Sequence, residues 1–126
     1  MDKVFQLKAG VKWVDMDPTF SYDLSRWIQV ADYIQNICIG VPTITSTRSD
    51  KHSINSLHYM GKAVDLRIND WKEHVFGECY CKTIAWILGS NWLVVLENDH
   101  IHIQLGFSNI RNPKAIQKIG KGFYLT

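Results

Sequence analysis

The run His100-Ile101-His102-Ile103-Gln104-Leu105 alternates polar and apolar residues without a break, and it constrains the fold more than any other segment. A period of two belongs to a strand with one face buried and one face open. The buried face would carry Ile101, Ile103 and Leu105; the other would carry two imidazoles and a carboxamide. Just upstream, Trp92-Leu93-Val94-Val95-Leu96 is an apolar run of strand length, and Asn98-Asp99 between the two runs suits a hairpin turn. Thr43-Ile44-Thr45-Ser46-Thr47 is short and β-branched, and Ala63-Val64-Asp65-Leu66-Arg67-Ile68 alternates again.

Helical periodicity fills the intervals. From Ser21 to about Cys38, the residues Leu24, Trp27, Ile28, Ala31, Ile34, Ile37 and Cys38 recur three or four apart and form one apolar stripe. Pro18-Thr19 and Ser21 supply start signals, and Gly40 with Pro42 stops the helix. A second helix is expected from about Glu73 to Leu88. Its buried face would be Tyr80, Cys81, Ile84, Ala85 and Leu88, and Gly89-Ser90-Asn91 would end it. The order helix, strand, strand, helix, strand, strand implies an α+β domain. Two main helices would pack on a small, mostly antiparallel sheet.

At 126 residues the chain reads as one domain, residues 1–126, long enough to bury a single core. Five Trp, five Tyr and five Phe argue for a packed interior. Of the tryptophans, Trp13, Trp27, Trp86 and Trp92 read as core rather than as a sugar-stacking platform. A net charge of +2 is too small to argue for nucleic acid. The locally basic stretch Arg111, Lys114, Lys118, Lys121 reads first as a solvated face and second as a weak attraction for an anionic polymer. Three cysteines, Cys38, Cys79 and Cys81, form no disulfide pattern, and Cys79-Tyr80-Cys81 lacks the spacer of a structural zinc site. All three are expected to be reduced, partly buried thiols. The amino-terminal residues contain no apolar core of signal-peptide length, and no window approaches a membrane span. The expectation is a monomeric chain made in the cytoplasm, which acts outside the cell only if something releases it.

Two segments carry chemistry: Ser56-Leu57-His58-Tyr59-Met60-Gly61-Lys62-Ala63-Val64-Asp65, and Glu97-Asn98-Asp99-His100-Ile101-His102. Taken singly, each residue has a bland reading. His100, His102 and Gln104 fit the wet face of a strand, His58 fits a turn, and Asp65 fits a capped core carboxylate. Burying a carboxylate is nonetheless costly unless it is paired or bound to a metal, so Asp65 between Val64 and Leu66 needs a partner. Gly61 can take the backbone conformation of a tight turn that leads into the strand and aims His58 and Asp65 at one point. One more histidine from a neighbouring strand makes two neutral nitrogens and one hard oxygen. Three protein ligands plus water is the usual composition of a catalytic zinc site. Such a site also needs a carboxylate as general base, and Asp99 and Glu97 are the candidates. His52, in the polar loop Asp50-Lys51-His52-Ser53, lines the cleft or sits on a plain surface loop; His74 reads as a surface residue at a helix start.

The pattern His58-x-x-Gly61-x-Ala63-x-Asp65 followed by Asp99-His100-x-His102 resembles the zinc D,D-peptidases. That family includes D-alanyl-D-alanine carboxypeptidases, vancomycin-resistance D,D-dipeptidases and phage L-alanyl-D-glutamate endopeptidases; the amino-terminal signalling domain of Hedgehog shares their fold. Ile44-Thr45-Ser46-Thr47-Arg48-Ser49 looks like the family's strand ending in Ser-x-x-Arg, and the resemblance runs from about Leu24 to Gly106.

The resemblance implies a Hedgehog/DD-peptidase-like fold and one zinc ion held by His58, Asp65 and His102. It also implies Asp99 as general base and Arg48 as the cation that steadies the substrate's oxygen. Ser46, His52 and His100 would then line the substrate. A second frame stays open, with His100 as third ligand and Glu97 as base. The implied activity is hydrolysis of a peptide bond in peptidoglycan stem peptides, by a D,D-carboxypeptidase or an L,D-endopeptidase. The compact chain leans towards a lytic enzyme of a phage or prophage. The alternative is a zinc-binding structural or recognition module that hydrolyses nothing.

Overall fold

The computed structural model describes residues 5–11, 24–37, 42–46, 62–68 and 74–126. Their elements, in chain order, are β1 (Gln6–Leu7), α1 (Leu24–Ile37), β2 (Thr43–Ser46), β3 (Ala63–Arg67), α2 (His74–Leu88), β4 (Trp92–Leu96) and β5 (Ile101–Leu105). A 3-10 turn at Pro113–Ala115, then β6 (Gln117–Ile119) and β7 (Gly122–Leu125), complete them. The strands form one seven-stranded sheet in the order β1-β2-β3-β5-β4-β7-β6. With two helices against it, the architecture is α+β.

The sheet is mixed. The four central strands pair antiparallel with one another in the order β2-β3-β5-β4, in keeping with the hairpin signal at Asn98-Asp99. β1 joins β2 in parallel, and β7 joins β4 in parallel. Neither parallel neighbour follows its partner directly in the chain. Each pairing therefore needs an intervening crossover, and adjacent sequence patterns do not announce it.

The alternation of β5 sorts the residues as its pattern requires. Ile101 and Ile103 are buried in one cluster with Val64 and Leu66 of β3, Trp92 and Val94 of β4, and Tyr124 of β7. Against them pack Trp27, Val30, Ala31 and Ile34 of α1 and Tyr80, Cys81, Ile84, Ala85 and Leu88 of α2. The stripe expected on α2 is the buried one. On α1 the stripe is rotated slightly: Val30 is buried and Ile28 is 44% exposed. At the centre, Trp27 meets Phe5 and Trp92 edge-on, each with ring centroids 5.7 Å apart. Burying aromatic rings in this arrangement supplies a large share of a small core's stability.

The expectation that Trp86 is core is corrected: it is 65% exposed. It lies on the outer side of α2, against the Gly120 turn of the β6–β7 hairpin. The basic stretch from Arg111 to Lys121 is not merely a solvated run. Its lysines are exposed, but Phe123, Tyr124 and Leu125 continue the sheet beside β4. Gly122 lets that strand reach α2, since a Cβ there would collide with the Ala85 carbonyl. Gly89, in the left-handed region (φ +91°), ends α2 as expected. The Arg26 guanidinium of α1 donates to the Leu88 carbonyl at that end, placing a cation at the negative pole of the helix. No helix among the described residues is long and apolar enough to cross a membrane.

Candidate metal centre

The face of the sheet turned away from the helices carries the polar side of β5. Register places Asp65 of β3 and Val95 of β4 on either side of His102, and Ala63 and Leu93 on either side of Gln104. Ser46 of β2 stands opposite Asp65 beyond a bulge. Each position follows from the period of two: with Val64 and Leu66 in the core, Asp65 and Arg67 must point the other way.

Asp65 has the partners that its burial demands. Its Oδ1 lies 3.2 Å from His102 Nδ1 and 3.5 Å from His100 Nε2. Only 15% of the Asp65 side chain and 17% of the His102 side chain meet solvent, so water screens the contact weakly. On its other nitrogen, His102 Nε2 is 2.9 Å from Gln104 Oε1. The Gln104 amide in turn donates to the carbonyls of Gly106 and Ser108, each at 3.0 Å. The Thr45 hydroxyl donates to the Asp65 backbone carbonyl at 3.4 Å, tying β2 to the same point.

The β4–β5 turn adds a second polar cluster. The Glu97 amide donates to the His100 carbonyl at 3.0 Å, which closes the loop over Asn98 and Asp99. Asp99 Oδ1 is 2.7 Å from His100 Nδ1, and Arg67 Nη2 is 3.5 Å from Asp99 Oδ2. His100 thus stands between Asp99 on one side and Asp65 on the other. The hydrogen bond from His100, aided by the Arg67 charge, holds the exposed Asp99 carboxyl below its ordinary range. Burial works to lower the His102 pKa, but its hydrogen bonds to Asp65 and Gln104 outweigh this, and the ring's affinity for a proton is raised.

Of the residues singled out from sequence, Asp65, His100 and His102 converge, Asp99 attaches through His100, and Glu97 is exposed at the start of the turn. Arg48, His52 and His58 lie outside the described residues, as does the Ser46 side chain. Among the described residues, no group of three His, Cys, Asp or Glu forms a metal-holding set by itself. Sequence reasoning took Gln104 for a wet-face residue, whereas it is buried, and gave Arg67 no role. Parity was the available signal: Gln104 shares the face of His100 and His102, and Arg67 shares the face of Asp65. No protein-family model matches this chain, and no curated protein matches it.

Proposed function

We propose that this chain is a zinc-dependent peptidase that hydrolyses an amide bond in the peptide stem of peptidoglycan. The observation that carries the reading is the ring of His102, set between two acceptors. A neutral imidazole has one N–H, yet Asp65 Oδ1 faces Nδ1 and Gln104 Oε1 faces Nε2. Both contacts are favourable only if a second positive centre, a proton or a metal ion, sits between Nδ1 and the carboxylate. A hard carboxylate beside an imidazole nitrogen is a donor set suited to zinc. The sequence motif adds His58 as the third donor. When bound there, zinc supplies a Lewis acid that polarises a carbonyl and acidifies water.

The chain's own groups divide the remaining work. Asp65 and His102 hold the metal with His58. Asp99, kept ionised by His100 and Arg67, accepts the proton of the attacking water; Glu97 is the alternative base from the same turn. Arg48, within the Ser-x-x-Arg segment, binds the substrate's carboxylate or carbonyl oxygen. Ser46, His52 and His100 line the path of the substrate. The enzyme acts as a monomer on cell walls after release from the cytoplasm, as a phage or prophage lytic protein would.

A second reading, a zinc-binding module without hydrolysis, draws on one observation. The Asp99 carboxylate is engaged by His100 and Arg67 at the turn, not by the Asp65–His102 pair. Metal content by mass spectrometry decides between the readings, on wild type beside Asp65→Ala and His102→Ala, with purified peptidoglycan digested in parallel. About one zinc per chain, lost in both variants together with release of new amino groups, is the expected result. Zinc without cleavage selects the module, and no zinc in the wild type removes both.

A further inference from the structure

We propose that Gln104 is a positioning residue which assigns Nδ1 of His102, and not Nε2, to the metal. The inference rests on the zinc reading above and adds to it the choice of nitrogen and the group that makes the choice.

Gln104 is the one buried polar side chain among the described residues, with 4% of its surface exposed. Its amide nitrogen has two hydrogens, and each meets a backbone carbonyl, Gly106 O and Ser108 O. A carbonyl only accepts. Turning the carboxamide over would put its oxygen against both carbonyls, losing two hydrogen bonds and adding two repulsions. The orientation is therefore fixed by chemistry, and Oε1 must face His102 Nε2. An amide oxygen also only accepts, so Nε2 must carry the hydrogen whenever this contact holds. With the proton confined to Nε2, the lone pair of a neutral ring lies on Nδ1, directed at Asp65 Oδ1 3.2 Å away.

The backbone builds this clamp. Gly106 sits at φ +91°, a region that a side chain would oppose, and its amide donates to Asn91 O at 2.8 Å. The chain reverses there and brings two carbonyl acceptors, one on either side of Phe107, back over Gln104. Metal-ligating histidines are commonly oriented by such a partner on their second nitrogen, and losing it typically costs about 10–100-fold in metal affinity.

The test uses the full chain loaded with zinc. Long-range proton–nitrogen NMR should show His102 with Nε2 protonated and Nδ1 coordinated. Zinc affinity, measured by chelator competition, should fall roughly 10–100-fold in Gln104→Met, which keeps the volume and removes the acceptor. Gln104→Glu retains an acceptor for Nε2–H but cannot donate to Gly106 and Ser108. It should lose thermal stability yet bind zinc within a few-fold of wild type. A merely structural role for Gln104 would weaken zinc in both variants in step with their stability. Coordination through Nε2, an unchanged affinity in Gln104→Met, or equal losses in both variants would overturn this inference alone. A wild-type chain that binds no zinc would overturn it together with the reading on which it rests.

Discussion

Arg67 grips Asp99 at two points, its Nη2 3.5 Å from Oδ2 and its Nε donating to the Asp99 backbone carbonyl at 3.3 Å. The β4–β5 turn is thereby fastened to β3, the strand that carries Asp65. The contact is solvent-exposed, so it matters for where Asp99 points and how readily it ionises more than for stability.

If Asp99 is the general base, Asp99→Asn should reduce wall-peptide cleavage by at least about 100-fold while zinc content is kept. Arg67→Ala should move the acid limb of the pH–rate profile to higher pH, since one of the charges that lower the Asp99 pKa is gone. A profile unmoved by Arg67→Ala, with activity lost instead in Glu97→Gln, would transfer the role to Glu97.

The raised His102 pKa has a signed consequence for the metal-free protein. Protonated His102 satisfies both Asp65 and Gln104, so folding favours its charged form. Its stabilisation is fully present below the ordinary histidine pKa and is lost as pH rises through the raised folded value. Thermal unfolding in chelator, for wild type against His102→Gln, should show the difference between the two shrinking from mildly acidic to alkaline pH. A gap that widens with pH would contradict this assignment.

Trp27 is fully buried between Phe5 and Trp92. Trp27→Ala should cost about 3–5 kcal/mol in urea unfolding, as large-to-small changes at such sites do. A loss below about 1 kcal/mol would show that the core collapses around the vacancy.

Gly122→Ala tests the approach of β7 to α2. The added methyl meets the Ala85 carbonyl and the Trp86 amide nitrogen, backbone atoms that cannot swing aside. A loss of about 1–3 kcal/mol is expected in chemical denaturation. A variant as stable as wild type would mean that the hairpin can shift away from α2.

Much of this fold is written in local pattern, and the rest depends on distant pairing. The α2 face and the β4–β5 hairpin follow from spacing alone, because their apolar positions recur at the period of their own element. β1 is two residues long, too short for any period to show. The β6–β7 hairpin hid behind its lysines. Its signal was Gly120-Lys121 between two short runs, with Gly120 at φ +57° supplying the positive angle at the first loop position. At the site, parity alone put Asp65 and His102 on polar faces. That those faces coincide depends on β3 pairing with β5 instead of β4, which nothing in either segment states. Gln104 looked like an ordinary wet-face residue because the loop that covers it, Gly106 to Ser108, comes after the strand.

The outer strands have a consequence for how the molecule behaves among its own copies. β1 offers two residues of ladder and β6 three, the latter bearing exposed Gln117 and Lys118. Among the described residues, a foreign strand docking on either rim finds too little backbone to register against, and on the β6 side it also meets a lysine whose charge disfavours stacking. The apolar strand that would template fibres, β4, is enclosed on both flanks by β5 and β7. Concentrated solutions of the folded chain should therefore resist strand-to-strand aggregation, and the hazard passes to states in which the β6–β7 hairpin has come away from β4.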